Sequence, residues 1–296
     1  MSITNRLYYG DNLEVLRRYI SDNSVDLCYI DPPFNSKRNY NQIYNNVGED
    51  RAQAQAFIDT WTWDDYANQE LLEIKTNYKG LFTSQSIDLI EGLTKVLGKG
   101  SLLAYLISMT LRITEIHRVL KPTGSFYLHC DPTASHYLKL IIDSIFCSRG
   151  GDFINEIIWC YKSRHFSKKH FGRKHDVILL YSKSNKYTFN WEANLRSLSP
   201  VTIKKFKYKD NIGPYRLCGR GIKGSPIQSA KDIDPKWEIS NPELVVRDYL
   251  KEGVPIEDYW DIEIINQSAK ERLGYPTQKP EALLERIRSY AVAKSI

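Results

Sequence analysis

The chain has 296 residues, 42% of them hydrophobic and 26% charged, and a formal net charge of +6. This length fills one large domain or two modest ones, and the composition is that of an ordinary globular protein. The polar start MSITNRLYYGDN lacks the apolar core of a secretory signal, and the longest apolar stretch, LLAYLISMTL, is about half a membrane span.

No membrane partner is therefore expected. The five cysteines form no C-x-x-C pair, so they read as buried thiols in a reducing cytoplasm and not as a disulfide frame or zinc site. In chain order, NLEVLRRYI places apolar residues at 13, 16 and 20, a helical period that Asp11 or Asn12 can cap. VDLCYI (25–30) is an apolar run without alternation, as in a strand buried on both faces of a parallel sheet. Residues 35–100 are polar and rich in Asn and Gln, and read as a long loop insertion with one or two helices.

LLAYLISMTLRITEIHRVL (102–120) predicts an amphipathic helix, stopped by Lys121-Pro122-Thr123-Gly124. SFYLHCD (125–131) predicts a strand, HYLKLIIDSIF (136–146) a helix, and EIIWCYK (156–162) and DVILLYSK (176–183) two strands. The alternation predicts an α/β sheet of parallel strands. From about 191 to 258 the periodicity fades while Gly, Pro and Lys rise, which predicts a second, irregular module. A helical period returns in KPEALLERIRSYA (279–291).

The charge is concentrated. From Lys162 to Lys223 there are 16 lysines and arginines against three acids, Asp176, Glu192 and Asp210. That block carries the whole positive excess and is interleaved with Phe166, Phe171, Tyr187, Trp191, Phe206 and Tyr208. A short run would be a solvated face; a block of this size points to a polyanion. His165, His170 and His175 recur every five residues but lack carboxylate or cysteine partners at ligand spacing, so no metal is expected.

The most informative stretch is SVDLCYIDPPFN. In open α/β sheets ligands bind beyond the carboxyl ends of strands, where Asp31 stands. Two prolines make the turn rigid and leave carbonyls without a competing N–H. Asp31, the carbonyls of Pro32 and Pro33 and the ring of Phe34 thus suit a planar amino group on an aromatic ring, such as a nucleobase amine. Its nitrogen lone pair is delocalised and weakly nucleophilic. Fixed acceptors for both protons draw it toward a tetrahedral, reactive geometry, an electrostatic preorganisation.

Four blocks carry a family resemblance: GDNLEVL with SVDLCYIDPPFN, HRVLKPTGSFYLHCDPTASHYLK, NEIIWCYKSRHFSKKHFGRKHDVILLYSKS, and AKERLGYPTQKPEALLERI. In this order the chain resembles the amino-methylating DNA methyltransferases of the β order, most closely the modification subunits of type III restriction systems. The resemblance implies that Asp31 and a carbonyl of Pro32 or Pro33 accept the two amine protons. It implies that Phe34 stacks on a base flipped out of duplex DNA. The implied cofactor is S-adenosylmethionine, with Thr277, Gln278, Lys279 and Pro280 near its methionine end. Asp11 is a second cofactor-side candidate, with helix capping as its alternative role.

Relatives with Asp first in this motif mostly modify adenine N6, and those with Ser cytosine N4; adenine is therefore expected, and cytosine is the alternative. Lys168, Lys169, Arg173, Lys174, Lys204 and Lys205 are implied phosphate contacts, which position DNA without reading sequence. His129 and Asp131 either line the pocket or pack as a strand-end pair. The implied organisation is a catalytic core over 1–190, with the insertion at about 35–100, a target-recognition region over 191–258, and a return to the core over 259–296.

The β order also places a strand and a D-P-F-x-G-x-G type turn after the T-x-K-P motif, where this chain reads RSYAVAKSI. An incomplete Rossmann-like sheet with an inserted irregular α+β module is therefore expected. Three explanations compete: a fragment of a longer frame, a split enzyme completed by a C-terminal polypeptide, or a DNA-binding subunit that transfers nothing. A homodimer and a restriction subunit are the other partners implied. GRGIKG (219–224) spells G-x-G-x-x-G, but with no apolar strand before it and no helix after it reads as a flexible loop.

Overall fold

The computed structural model describes residues 5–33, 38–45, 51–59, 61–162, 168–227, 232–275 and 277–292, with side chains for all but 38–45 and 51–59. In chain order come α1 (Asn12–Tyr19), β1 (Val25–Ile30), β2 (Arg38–Asn45), β3 (Arg51–Asp59), α2 (Asp65–Thr76), α3 (Ser84–Leu97) and α4 (Ser101–Val119). Then follow β4 (Leu120–Cys130), α5 (Ser135–Phe146), β5 (Asp152–Cys160) and β6 (His175–Ser182). A second unit spans Trp191–Ile256, and Glu257–Ile296 rejoins the first. It holds β7 (Leu195–Arg196), α6 (Pro200–Ile203), β8 (Tyr208–Lys209), β9 (Pro214–Arg220), β10 (Pro226–Ile227), α7 (Pro235–Ser240), β11 (Val245–Tyr249) and β12 (Val254–Pro255). The chain ends with β13 (Tyr259–Asp261) and α8 (Glu281–Ala291).

The fold of the first unit is α/β. Its sheet has the order β1-β4-β6-β5-β13. β1 runs parallel to β4, and β13 to β5, but β6 is antiparallel to both β4 and β5. This corrects the expectation of a parallel sheet. A parallel crossover needs a dozen or more residues, usually a helix; the segment between β5 and β6 has none among its described residues. At the start of β5 a Cβ on Gly151 would stand 2.4 Å from the Ser182 carbonyl, so glycine lets the two strands close.

The long helix differs from its sequence reading too. Fifteen of the 19 residues of α4 are buried, so it is a central helix and not an amphipathic one. α1, α2, α3 and α5 all pack on it. α5 then lays Phe146 on Phe126 of β4, ring centres 5.5 Å apart. Lys121-Pro122-Thr123-Gly124 does stop the helix, at Val119.

The insertion holds the two helices α2 and α3, capped by Asp64 and Thr83, and also an antiparallel hairpin, β2 with β3, that the sequence reading missed. RAQAQAFID does alternate with period two, but Ala and Gln have low strand propensity and hid the signal. Cys147 is exposed where α5 ends, against the expectation of buried thiols; Cys130 and Cys218 are buried.

In the second unit β9 pairs antiparallel with β10, β11 and β8. A strand therefore does lead into GRGIKG, contrary to expectation, because half-polar PYRLCGR forms β9. No α-helix follows: a 3-10 turn at Ile222–Gly224 returns the chain as β10. Among the described residues no helix is long and apolar enough to cross a membrane.

Leu138 and Leu140 share α5, the first fully buried and the second half exposed. Leu138→Ala is expected to cost about 3 kcal/mol and Leu140→Ala no more than about 0.5 kcal/mol, read as shifts in urea midpoint.

Candidate active site

The sheet topology gathers the site. β1 ends just before Asp31, and β4 carries His129 at its penultimate position. Because β6 runs the other way, its second residue, Asp176, stands at the same end, opposite Trp159 near the end of β5. Tyr161 follows β5 there, its amide bonded to the Lys174 carbonyl. Five residues from the ends of four strands thus meet at one end of the sheet, where open α/β sheets hold ligands.

Lys279 Nζ donates to Asp31 Oδ2 at 2.5 Å. The other Asp31 oxygen, Oδ1, lies 3.7 Å from His129 Nδ1. His129 is wholly buried, with Nε2 3.1 Å from Asp176 Oδ2 and Nδ1 2.8 Å from the Tyr29 hydroxyl. The Tyr161 hydroxyl donates to Asp176 Oδ1 at 3.2 Å. Trp159 meets the His129 ring edge-on at 5.4 Å and is fixed by its indole N–H on the Ile262 carbonyl. Burial, reinforced by neighbouring carboxylates, pushes the Tyr29 and Tyr161 phenols far up, so both act as hydrogen-bond donors and not as bases.

Lys279 is delivered by a braced loop. The Gln278 side chain accepts from the Leu273 amide at 2.8 Å and donates to the Glu271 carbonyl at 2.6 Å. The Glu271 carboxylate caps the Glu281 amide at 2.9 Å, and buried Pro280 precedes α8, which is anchored by Leu283 and Ile287. Thr277 offers its carbonyl to Lys279 Nζ at 3.5 Å.

Two cavities border the Asp31–Lys279 pair. One, about 300 Å³, is lined by Trp159, Tyr161, Asp176, Arg272, Thr277 and Lys279, with Gln278 also on its wall. The other, about 540 Å³ and mostly apolar, is lined by Asp31, Pro32 and Pro33 with residues of β1, α1 and α4. Both fall in the range of roughly 300–1,000 Å³ typical of ligand pockets. Asn12 and Arg112 line the larger one. Asp11 caps α1 through the Leu13 amide at 2.8 Å and also takes Arg112 at 2.9 Å, while Arg112 Nε donates to Asn12 at 2.8 Å.

The remaining expected residues divide. Phe34 lies outside the described residues. Lys168, Lys169, Arg173 and Lys174 are exposed in the segment joining β5 to β6, both of which have their near ends at the site. Lys204 and Lys205, also exposed, follow α6 in the second unit. Asp131 caps the turn into α5 through the Thr133 and Ala134 amides, while His129 reaches Asp176 and Tyr29. Among the described residues no group of three His, Cys, Asp or Glu is placed to hold a metal. Tyr29, Tyr161 and Asp176 went unnoticed in the sequence; the one signal was an acid alone in a basic block, at a strand start.

A family model described as DNA methylase matches residues 25–291, from β1 to the last residue of α8. The chain belongs to the DNA methylase family. Among curated relatives of this chain, the type III restriction-modification enzyme StyLTI Mod subunit of Salmonella typhimurium is 23% identical, over 98% of this chain and 47% of its own. The DNA adenine methyltransferase YhdJ of Escherichia coli is 27% identical, over 95% of this chain and 65% of its own. The type II methyltransferase M.BglII of Bacillus subtilis is 24% identical, over 96% and 55%. The chain thus spans from about half to just under two thirds of the length of these relatives.

Behind the larger cavity, burial raises the Glu70 carboxyl to about 7, with Arg112 and a Ser108 hydrogen bond pulling the other way. The folded chain keeps a proton that the unfolded chain, at an ordinary 4.5, gives up. This contribution to stability is whole below about 4.5 and is lost as pH rises through about 7, at about 1.4 kcal/mol per pH unit. Glu70→Gln is expected to flatten that fall: urea midpoints of the two proteins coincide near pH 4.5, and the variant's is higher at pH 8.

Proposed function

We propose that this chain transfers a methyl group from S-adenosylmethionine to N6 of an adenine flipped out of duplex DNA, with Asp31 as acceptor for the amine. The observation that carries the reading is a carboxylate at a strand end, followed by two prolines, standing between two ligand-sized cavities. Family membership supports the chemistry, and a relative named as an adenine methyltransferase supports the base. The relative named as a Mod subunit supports DNA modification beside a restriction subunit.

The residues present fit the cofactor. The larger cavity offers apolar walls to an adenine ring, and Asn12 and Arg112, with Asp11 behind, offer the donors and acceptors that a ribose or amino acid end requires. When bound, the cofactor supplies a sulfonium methyl and leaves as a neutral thioether. Lys279 keeps the Asp31 carboxylate aimed before the amine arrives. Asp31 then accepts one N–H and a proline carbonyl the other, which holds the nitrogen lone pair toward the methyl. Trp159 and Tyr161 wall the smaller cavity, which suits a flat base. The basic segment at 168–174 and the second unit hold the phosphates, and residues 191–258 act as the target-recognition region.

Asp31→Ala is expected to lower labelled methyl transfer to unmethylated bacterial DNA by about 10³-fold with DNA affinity nearly unchanged. Transfer close to wild type would sink the assignment. Nucleoside analysis of the product should give N6-methyladenine; N4-methylcytosine would overturn the choice of base. Replacing Lys168, Lys169, Arg173 and Lys174 by glutamine should reduce the slope of log affinity against log salt by about 3 to 4. An unchanged slope would place the DNA elsewhere.

A further inference from the structure

We infer that His129, oriented by Asp176, is the proton store of this site: it takes, through Asp31, the proton that methylation releases from the target amine. This rests on the methyl-transfer reading above. Methylation leaves the amine nitrogen positively charged, with one proton in excess. Asp31 is the first acceptor, but Lys279 already occupies its Oδ2. Its Oδ1 faces His129 Nδ1 at 3.7 Å, about half an ångström beyond hydrogen-bond reach, a gap of the kind that closes when substrate binds.

The imidazole is built for this task. The wholly buried ring has both nitrogens engaged. Nε2–H donates to Asp176 Oδ2, which fixes the tautomer and leaves Nδ1 as the acceptor on the Asp31 side. The Tyr29 hydroxyl donates to Nδ1 and can rotate to accept from it once Nδ1 is protonated. Asp176 is itself held by the Tyr161 hydroxyl.

The balance is simple. One proton passes from the amine nitrogen to Asp31 Oδ1 and from there to Nδ1, with no change in electron count. The imidazolium then lies between the carboxylates of Asp31 and Asp176, the second stabilising it as the buried aspartate of a Ser-His-Asp triad stabilises its histidine. When product leaves, the proton returns through Asp31 to water, and the ring resumes its first tautomer. Among the described residues, charged and titratable groups that face the ring include Tyr29 and Asp31 from β1 and its end, Asp176 from β6, Tyr161 after β5, and Lys279 through Asp31. His129 does not touch the base; it acts through Asp31 as a positioning residue.

The test has two arms. In the first, ¹⁵N-histidine NMR of the 296-residue chain follows the ring nitrogens of His129, assigned among the six histidines by the signal lost in His129→Gln. Asp31→Asn and Asp176→Asn should each move those signals. Signals indifferent to Asp31→Asn would overturn the inference, with no need of cofactor or DNA. In the second arm, single-turnover methyl transfer by His129→Gln should fall by about 10²-fold at neutral pH. Cofactor and DNA affinities should be unchanged, and the rate should recover toward wild type at high pH, where hydroxide takes the proton. A loss equal at every pH would mean a structural role and overturn the inference. An inactive Asp31→Ala beside a fully active His129→Gln would overturn the inference alone, whereas an active Asp31→Ala would overturn the methyl-transfer reading as well.

Discussion

One hydrogen-bonded ion pair holds the arrangement together: Lys279 on Asp31, 248 residues apart in sequence. It joins the end of the first strand to the loop before α8, so it ties together the two ends of the first unit. Both side chains are largely buried, at 14% and 22% exposure, which makes the pair costly to break one-sidedly. It also sets the direction of the carboxylate: one oxygen is committed to Lys279, and the other faces His129 and the space between the two cavities. An acceptor already aimed needs little reorganisation when an amine arrives, and preorganisation of this kind usually supplies the largest catalytic term.

The reversal of β6 is the second constraint. Were the sheet parallel throughout, Asp176 would lie at the opposite end of its strand from Asp31, and His129 would face Asp31 without an orienting carboxylate. The tight start of β5 at Gly151, and a connection from β5 to β6 without a helix among its described residues, favour the antiparallel pairing. The same connection carries Lys168, Lys169, Arg173 and Lys174 at the site end of the sheet. A single topological choice thus places the histidine's partner and a basic surface near the candidate pocket.

What could be read from the residues follows from how local their signals are. Asp31 with Pro32 and Pro33 was legible because two prolines after an apolar strand are rare and chemically specific. The helices at 12–19 and 135–146 were legible from their period, and Asp11 from its capping position. α4 was misjudged because its polar residues, Ser108, Thr110, Thr114 and Glu115, are buried and do not form a wet face; Ser108, Thr110 and Glu115 each find a hydrogen-bond partner inside the fold. The hairpin at 38–59 was hidden by Ala and Gln, whose alternation is real but weakly strand-forming. Tyr29, Tyr161 and Asp176 could not be placed at the site without strand pairing; only Asp176, an acid alone in a basic block, carried a local signal.

The claim on which the account stands is geometric: an amine between two cavities, held by Asp31. It is tested most directly by a crystal structure of the chain with a duplex it modifies and an unreactive analogue of the methyl donor. The expected result is an extrahelical adenine in the smaller cavity, its N6 within about 3 Å of an Asp31 oxygen, and the analogue in the larger cavity. A base seated away from Asp31, or an analogue bound outside the cavity lined by Pro32 and Pro33, would contradict it.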